Sequence, residues 1–263
     1  MKPHVQWRHG ALNDLQIIDA QEIDRALPEV WRQTLKAMED ARFAWPDVKG
    51  PGVEEGDAGD ADDAVRRANL LNWRPDDRET VIRQGVLGAD ELVHMAIHRQ
   101  LYGHMERPED RDSWLLCEAV ASAADIWLLG AMLGSGQRAE FLDLQAEVWS
   151  QCWADAGRSE RELQETFERV AGDPSGAFVE MVALIEGCVT ALIAAKAVRD
   201  SVSAHLHHLA SPLGPLLLHF QVDWWTQALR ARPAADHAQA SVVTATRSRV
   251  TEAHSPVLEA MRG

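Results

Sequence analysis

Residues 113–133, SWLLCEAVASAADIWLLGAML, decide how this chain folds. Apolar side chains point in nearly every direction around a helix of this sequence, so the helix must be covered on all sides by other parts of the protein. Long flanking segments rich in Ala, Leu, Glu, Gln and Arg have a helical period, and strand-like alternation is nearly absent. The sequence therefore predicts an all-α, single-domain bundle of about seven to eight helices around a central apolar hairpin.

Breaker residues and composition changes predict where the elements begin and end. One domain is expected over residues 1–263, with a mobile acidic loop at 47–63 and a C-terminal helix at 234–263 whose attachment could be loose. Trp45–Pro46 is expected to end the first helix, because the residue before proline avoids the α region. The predicted helices cover residues 20–43, 76–84 continuing at 89–105 after a bend at Gly85 and Gly88, 113–133, 139–156, 159–170, 177–209, 216–230 and 234–261.

Composition excludes several classes of function. The chain has 263 residues, with 41 acidic and 26 basic side chains and a net charge of -15, so it repels nucleic acids and anionic membrane surfaces. Its three cysteines form no CxxC pair, which is typical of reduced thiols in the cytoplasm. No segment approaches about 18 uninterrupted apolar residues, and the N-terminus lacks a signal-peptide core. We expect a cytoplasmic protein that binds neither nucleic acid nor a membrane.

Ionisable residues interrupt two of the apolar helices. In ELVHMAIH, Glu91, His94 and His98 have i, i+3 and i+7 spacing and share one helix face. Glu118 and Asp125 are likewise seven residues apart on one face of the next helix. Antiparallel pairing of these helices about the turn between them predicts that His94 lies level with residue 124 or 125, and that Glu118 lies near His98 or residue 100.

A third apolar helix also carries an acid, Glu186, within MVALIEGCVTALIAA. A buried carboxylate without a partner costs several kcal/mol, so each acid must be protonated, paired with a base or bound to a cation. Carboxylate and imidazole on facing helices form a ligand set for iron, manganese or zinc. The alternatives remain open: His98 could be a hydrogen-bonded core histidine, and Asp125 could bond a Trp indole or Ser122.

A second candidate cluster combines three histidines near the end of the predicted long helix with two residues of the next helix: His205, His207, His208, His219 and Asp223. Imidazolium near the C-terminal carbonyls of a helix, favoured by the helix dipole, explains the first three equally well. Their roles stay open. No phosphate-binding loop, nucleophile elbow, dinucleotide-binding turn or HExxH motif is present.

The Glu91–His94 motif with acids on neighbouring apolar helices resembles the non-haem di-iron proteins of the ferritin-like and haem-oxygenase-like superfamilies, over residues 78–225. The chain lacks the second ExxH of the first group. Asp200 precedes His205 by five residues, where the second group has four. The resemblance implies that Glu91 and His94 bind one metal, and that the remaining ligands come from His98, Glu118, Asp125, Glu186 and His205.

This resemblance implies a helical oxidase or oxygenase with one or two iron ions, or manganese as the alternative. Dioxygen and a small organic substrate would be its partners. Ten tryptophans favour a hydrophobic or aromatic substrate. The alternatives are a non-enzymatic helical protein that binds a hydrophobic ligand or a protein partner, and a zinc-dependent hydrolase on Glu91, His94 and His98. A homodimer is also left open.

Overall fold

The computed structural model describes residues 7–46, 80–82, 85–103, 105–107, 110–196, 204–206 and 209–251. It is predominantly helical, which confirms the predicted fold class. The acidic loop predicted at 47–63 lies outside the described residues, as does most of the helix predicted at 76–84.

The described elements are five short strands and ten helices of four residues or more, besides a 3-10 turn at Leu12–Asp14. The strands are β1 (Trp7–Ala11), β2 (Gln16–Ile18), β3 (Arg42–Pro46), β4 (Thr80–Val81) and β5 (Val86–Gly88). The helices are α1 (Ala20–Ala26), α2 (Pro28–Met38), α3 (Ala89–Tyr102), α4 (Arg111–Ser135), α5 (Glu140–Asp155), α6 (Glu160–Gly172), α7 (Pro174–Ala194), α8 (Leu216–His219), α9 (Val222–Arg230) and α10 (His237–Thr251).

Helix α4 is the centre of the fold, as its all-round apolar sequence predicts. It packs against α3, α6, α7, α9 and α10, and its contact with α7 is the most extensive between described elements. The Asp110 carboxylate accepts bonds from the backbone N–H groups of Asp112 and Ser113, which caps the first turn. Gly136, at a φ of 70°, ends the helix in the left-handed conformation that suits glycine.

The helix predicted at 20–43 is divided after Ala26 and ends at Met38, so the prediction is wrong over its last residues. Pro28 begins a separate helix, and residues after Met38 leave the helical conformation for strand β3. The strand buries Phe43 completely and pairs with β1 in an antiparallel register, while β4 joins its other edge. A short apolar run of this kind fits a strand or a helix, and only pairing with distant residues decides between them. A second small sheet pairs β2 with β5 in parallel.

Two predicted helices end earlier or divide. The helix predicted at 177–209 ends at Ala194, and Lys196 has a positive φ of 52°, which a helix cannot continue through. The helix predicted at 216–230 divides into α8 and α9 at Gln221, where φ is 57°. Neither site is a glycine, so the sequence gives no warning of either change.

The C-terminal helix α10 is attached more firmly than the sequence predicts. Val243 and Val250 are buried against the core, and the buried Gln239 side chain donates to the Ser113 hydroxyl on α4. Arg247 forms an ion pair with Glu186 on α7. The described part of this segment, residues 237–251, is therefore packed on the two central helices.

Helices α4 and α7 are long and apolar enough to cross a bilayer, but the core helices of soluble proteins also meet that description. In the most apolar part of α4, 89% of the residues are buried inside the protein, against 50% for α7. The cover on α4 agrees with a soluble protein whose central helix is wrapped by its neighbours.

Candidate metal centre

The polar residues of α3 and α4 meet between these two helices. His94, His98 and Tyr102 recur every four residues along α3 and share the face that packs on α4. Glu118 and Asp125 lie on the facing side of α4, seven residues apart. The predicted antiparallel pairing is confirmed, because His94 contacts Asp125 and His98 contacts Glu118.

His94, His98 and Glu118 form a cluster with the geometry of a metal site. One ligand atom of each residue lies within 4.8 Å of the ligand atoms of the other two. Nε2 of His98 is 3.4 Å from Oε1 of Glu118, which is longer than a good hydrogen bond and short enough for two ligands of one ion. Within the described residues, it is the one group of three acids, histidines or cysteines whose ligand atoms lie close enough together to hold an ion.

Asp125 holds the ring of His94 in place. Nδ1 of His94 lies 2.9 Å from Oδ2 and 3.1 Å from Oδ1 of Asp125, so the ring nitrogen donates to the carboxylate. A histidine whose Nδ1–H is held by a carboxylate binds a metal through Nε2. Asp125 would therefore orient His94 if the cluster held an ion, and within the described residues its partner is His94 in place of the Trp indole or Ser122 that the sequence allowed.

Charge around His94 favours its protonated form in the metal-free protein. Burial alone would lower the pKa of His94, but the nearby charge and hydrogen bond of Asp125, with smaller effects from Glu118 and Glu91, raise it to about 9. In the metal-free protein, the proton on His94 therefore offsets part of the negative charge of these carboxylates, as a bound cation would. The site attracts positive charge.

The cluster is closed at one end and reachable from solvent at the other. The side chains of His98 and Glu118 are 1% and 8% exposed, whereas those of His94 and Asp125 are 27% and 28% exposed. Small molecules and ions would thus reach the inner pair past His94 and Asp125.

Two further titratable groups lie near the exposed end. Burial, together with the charges of Glu91 and Asp125, raises the pKa of Asp90 to about 7. Burial lowers the pKa of His219, and the charge of Asp125 acts in the opposite direction. His219, from the second histidine cluster of the sequence, therefore lies within electrostatic range of the α3–α4 site.

Glu91, predicted as a ligand, does not join the cluster. Its side chain is exposed at the first turn of α3, where its Oε2 accepts a hydrogen bond from the backbone N–H of Gly88 at 3.2 Å. An acid three residues into a helix has this capping role whether or not a metal is near. The ExxH motif is therefore divided between a helix cap and a site residue.

Glu186, predicted as a ligand from the apolar helix around it, has a cationic partner instead. Arg247 of α10 binds both of its oxygens, with Nε at 2.9 Å and 3.0 Å and Nη2 at 2.7 Å from Oε1. The hydrogen bond and the charge of Glu186 raise the pKa of the Arg247 guanidinium, and partial burial opposes them. Both oxygens of Glu186 are therefore bonded to Arg247, and a second metal ion would have to displace Arg247 to bind them.

The remaining predicted residues lie elsewhere. His205 is exposed, and His207 and His208 lie outside the described residues. Asp223 is buried on α9 and is not part of the three-residue cluster.

Sequence reasoning assigned no role to the buried hydroxyl of Tyr102 on α3, and it named Ser122 on α4 only as a partner for Asp125. Tyr102 is the one tyrosine of the chain, and its ring stacks on that of His98 with centroids 5.8 Å apart. The spacing of His94, His98 and Tyr102 by four residues is the signal that could have identified it.

No protein-family model matches the chain, and no curated protein or solved structure shows significant similarity to it.

Proposed function

We propose that this protein is a metal-dependent oxidoreductase that holds one ion on His94, His98 and Glu118. What supports the proposal is the convergence of two imidazoles and one carboxylate, drawn from two helices, to within 4.8 Å. Two histidines and one carboxylate, with further coordination positions open, are the ligand set of non-haem ferrous oxygenases.

The ligand set favours one ion over two. A dinuclear carboxylate site needs several acids around the metals, and of the acids predicted for that role Glu91 caps a helix and Glu186 binds Arg247. The charge of Glu118 and two neutral imidazoles would leave a divalent ion with one net positive charge, open to an anionic ligand.

Each residue has a defined task in this proposal. Ferrous iron in such a site supplies the one-electron chemistry that dioxygen requires. Asp125 keeps the proton of His94 on Nδ1 and so presents Nε2, while the apolar residues around His98 and Glu118 exclude water from the inner side. The substrate would be a small organic molecule, with hydrophobic or aromatic compounds as the first class to test.

A zinc-dependent hydrolase is the second candidate, because two histidines and a glutamate are also a catalytic zinc set. Zinc would activate water and consume no oxygen. The non-enzymatic alternative requires that the cluster bind no metal and that His98 and Glu118 serve packing alone.

The test begins with anaerobic titration of metal-free protein with Fe(II), Mn(II) and Zn(II). We expect one Fe(II) per chain, with affinity lost in His98→Ala and Glu118→Gln and retained in Glu91→Ala. Oxygen uptake by the Fe(II)-loaded protein in the presence of small aromatic substrates then distinguishes an oxidase from a hydrolase.

Three results would contradict the proposal in different ways. Two ions per chain, lost in Glu91→Ala, would restore the dinuclear site that the family resemblance implies. Retention of zinc alone, without oxygen uptake, would favour the hydrolase. A folded protein that binds no metal would favour the non-enzymatic alternative, a helical protein that binds a hydrophobic ligand or a protein partner.

A further inference from the structure

The hydroxyl groups of Tyr102 and Ser122 are both buried on α3 and α4, the two helices that carry the candidate metal site. Tyr102 is 4% exposed and Ser122 is 1% exposed. Within the described part of the chain, neither the Tyr102 hydroxyl nor Oγ of Ser122 has a hydrogen-bond partner. A buried hydroxyl left without a partner costs about 1–3 kcal/mol, so two such groups beside one cluster need an explanation.

Both residues occupy the helix faces that carry the metal ligands. Tyr102 follows His98 by one turn of α3 and stacks on its ring. Ser122 lies one turn after Glu118 and three residues before Asp125, so it shares their face of α4. We call the polar residues on these two faces the polar ladder: His94, His98 and Tyr102 on α3, and Glu118, Ser122 and Asp125 on α4. The polar ladder therefore contains more groups than the three proposed ligands.

Both side chains can donate a hydrogen bond. The phenol of Tyr102 and the hydroxyl of Ser122 each carry one O–H, and each hydroxyl can rotate to meet an acceptor.

We propose that Tyr102 and Ser122 donate hydrogen bonds to a small anionic or oxygen-bearing ligand that the metal on His94, His98 and Glu118 also binds. This inference rests on the proposed metal site. The class of ligand follows from the chemistry, because two hydroxyl donors beside a metal ion with open coordination positions select a ligand with acceptor atoms, and an anion accepts the strongest such bonds. A purely hydrocarbon ligand would leave both hydroxyls without partners.

The test uses the Co(II)-loaded full-length protein and azide as the anionic probe, followed by the visible spectrum of the metal. Tyr102→Phe and Ser122→Ala each remove one hydroxyl at nearly constant shape. We expect each variant to bind Co(II) with an affinity within about threefold of wild type and azide about tenfold more weakly, as loss of one hydrogen bond to a charged group predicts.

Control measurements separate this role from a structural one. The Tyr102 hydroxyl lacks a partner within the described residues, so Tyr102→Phe should unfold at the same temperature as the metal-free wild type or higher. Gln100→Ala, a substitution on α3 outside the polar ladder, should change neither Co(II) nor azide affinity.

Azide affinity within twofold of wild type in both variants would overturn the inference while leaving the metal site intact. Equal losses of Co(II) and azide affinity would overturn it as well, because the hydroxyls would then act on the metal or the fold. Failure of the wild-type protein to bind Co(II) would refute the proposed function and the inference with it.

The single tyrosine gives a second, independent measurement. Protein labelled with 3-fluorotyrosine has one fluorine signal, at residue 102. Paramagnetic Co(II) at the cluster should broaden or shift it strongly, and azide should move it again in the Zn(II)-loaded protein. A signal unaffected by either addition would place Tyr102 away from the bound ligand and contradict the inference.

Discussion

Glu118 and Glu186 make an informative pair. Both are buried acids within the two most apolar helices, α4 and α7, which pack against each other. Glu186 is neutralised by two-point bonding to Arg247, whereas Glu118 has a histidine neighbour at 3.4 Å in a group able to hold a cation. A buried acid in an apolar helix can therefore be neutralised in two ways. An arginine of the same chain neutralises Glu186, whereas an exchangeable ion could neutralise Glu118.

The difference between them follows from where the partner lies along the chain. His98 is 20 residues before Glu118 on the adjacent helix of a hairpin, so pairing can be predicted from the turn between them. Arg247 is 61 residues after Glu186, on the last described helix. Only the packing of α10 on α7 brings it there.

The strongest test of this comparison substitutes each acid by its amide. Glu118→Gln should lower Fe(II) affinity by more than the about 100-fold that outer-shell substitutions reach, because it removes a charged ligand. Glu186→Gln should leave Fe(II) affinity within about threefold of wild type. Anaerobic metal titration of the two variants measures both effects.

Equal losses of metal affinity in both amide variants would contradict the distinction. They would mean either that Glu186 reaches the site when metal is bound or that both variants fail to fold. A circular dichroism melt of each metal-free variant separates these two explanations.

A second test removes the base instead of the acid. Arg247→Met leaves the Glu186 carboxylate buried without its cation, and breaking a fully buried pair costs about 3–5 kcal/mol. The Arg247 side chain is 42% exposed and water can take over part of its role, so we expect the free energy of unfolding to fall by about 2 kcal/mol. Denaturant unfolding measures this loss.

The double variant Glu186→Gln, Arg247→Met provides the matched control for the second test. With both charges gone, most of the stability should return, because no buried charge is left without a partner. Additive losses from the two substitutions would show that the pair contributes through packing and not through its charges.

The sequence predicted the helical class and the central helix because both depend on local pattern. It failed at β3, where the apolar run ending in Trp45 could form a helix or a strand and pairing with β1 decided. It also failed at Lys196 and Gln221, whose positive φ values are imposed by packing. Those features depend on contacts between segments distant in the chain.

The candidate site was predictable to the extent that one hairpin determines it. His94, His98, Glu118 and Asp125 could be placed together because α3 and α4 are consecutive and antiparallel. Glu91 does not join the cluster, because this first-turn acid caps its own helix. No residue near Glu91 in sequence distinguishes that role from ligation.

A third test concerns the residue that orients His94. Asp125→Asn keeps the shape but weakens the bond that fixes the His94 tautomer, and losses of about 10–100-fold in metal affinity are typical of such changes. Glu91→Gln, also an acid-to-amide change on the hairpin, should have little effect. Unchanged metal affinity in Asp125→Asn would argue that His94 is not a ligand.

The smallest expected effect is on the pH dependence of stability in the metal-free protein. Asp125 raises the pKa of His94 from 6.5 to about 9, so the folded state holds this proton more tightly than the unfolded chain does. The stabilisation is complete below pH 6.5 and is lost as the pH rises through about 9. Since the His94 side chain is 27% exposed, we expect a loss of about 1–2 kcal/mol across this window.

Asp90 provides the contrast that makes this measurement specific. Its pKa is raised to about 7 by burial and by neighbouring acids, so its ionisation destabilises the fold between its ordinary pKa of 3.8 and about 7. That window lies largely below the window of His94. Urea unfolding at several pH values should therefore show a decline above pH 7 that Asp125→Asn removes, while the decline below pH 7 becomes smaller but persists, because burial is its largest cause. If the decline above pH 7 persisted in Asp125→Asn, the raised pKa of His94 would not be the cause, and the cluster would lack the attraction for positive charge on which metal binding depends.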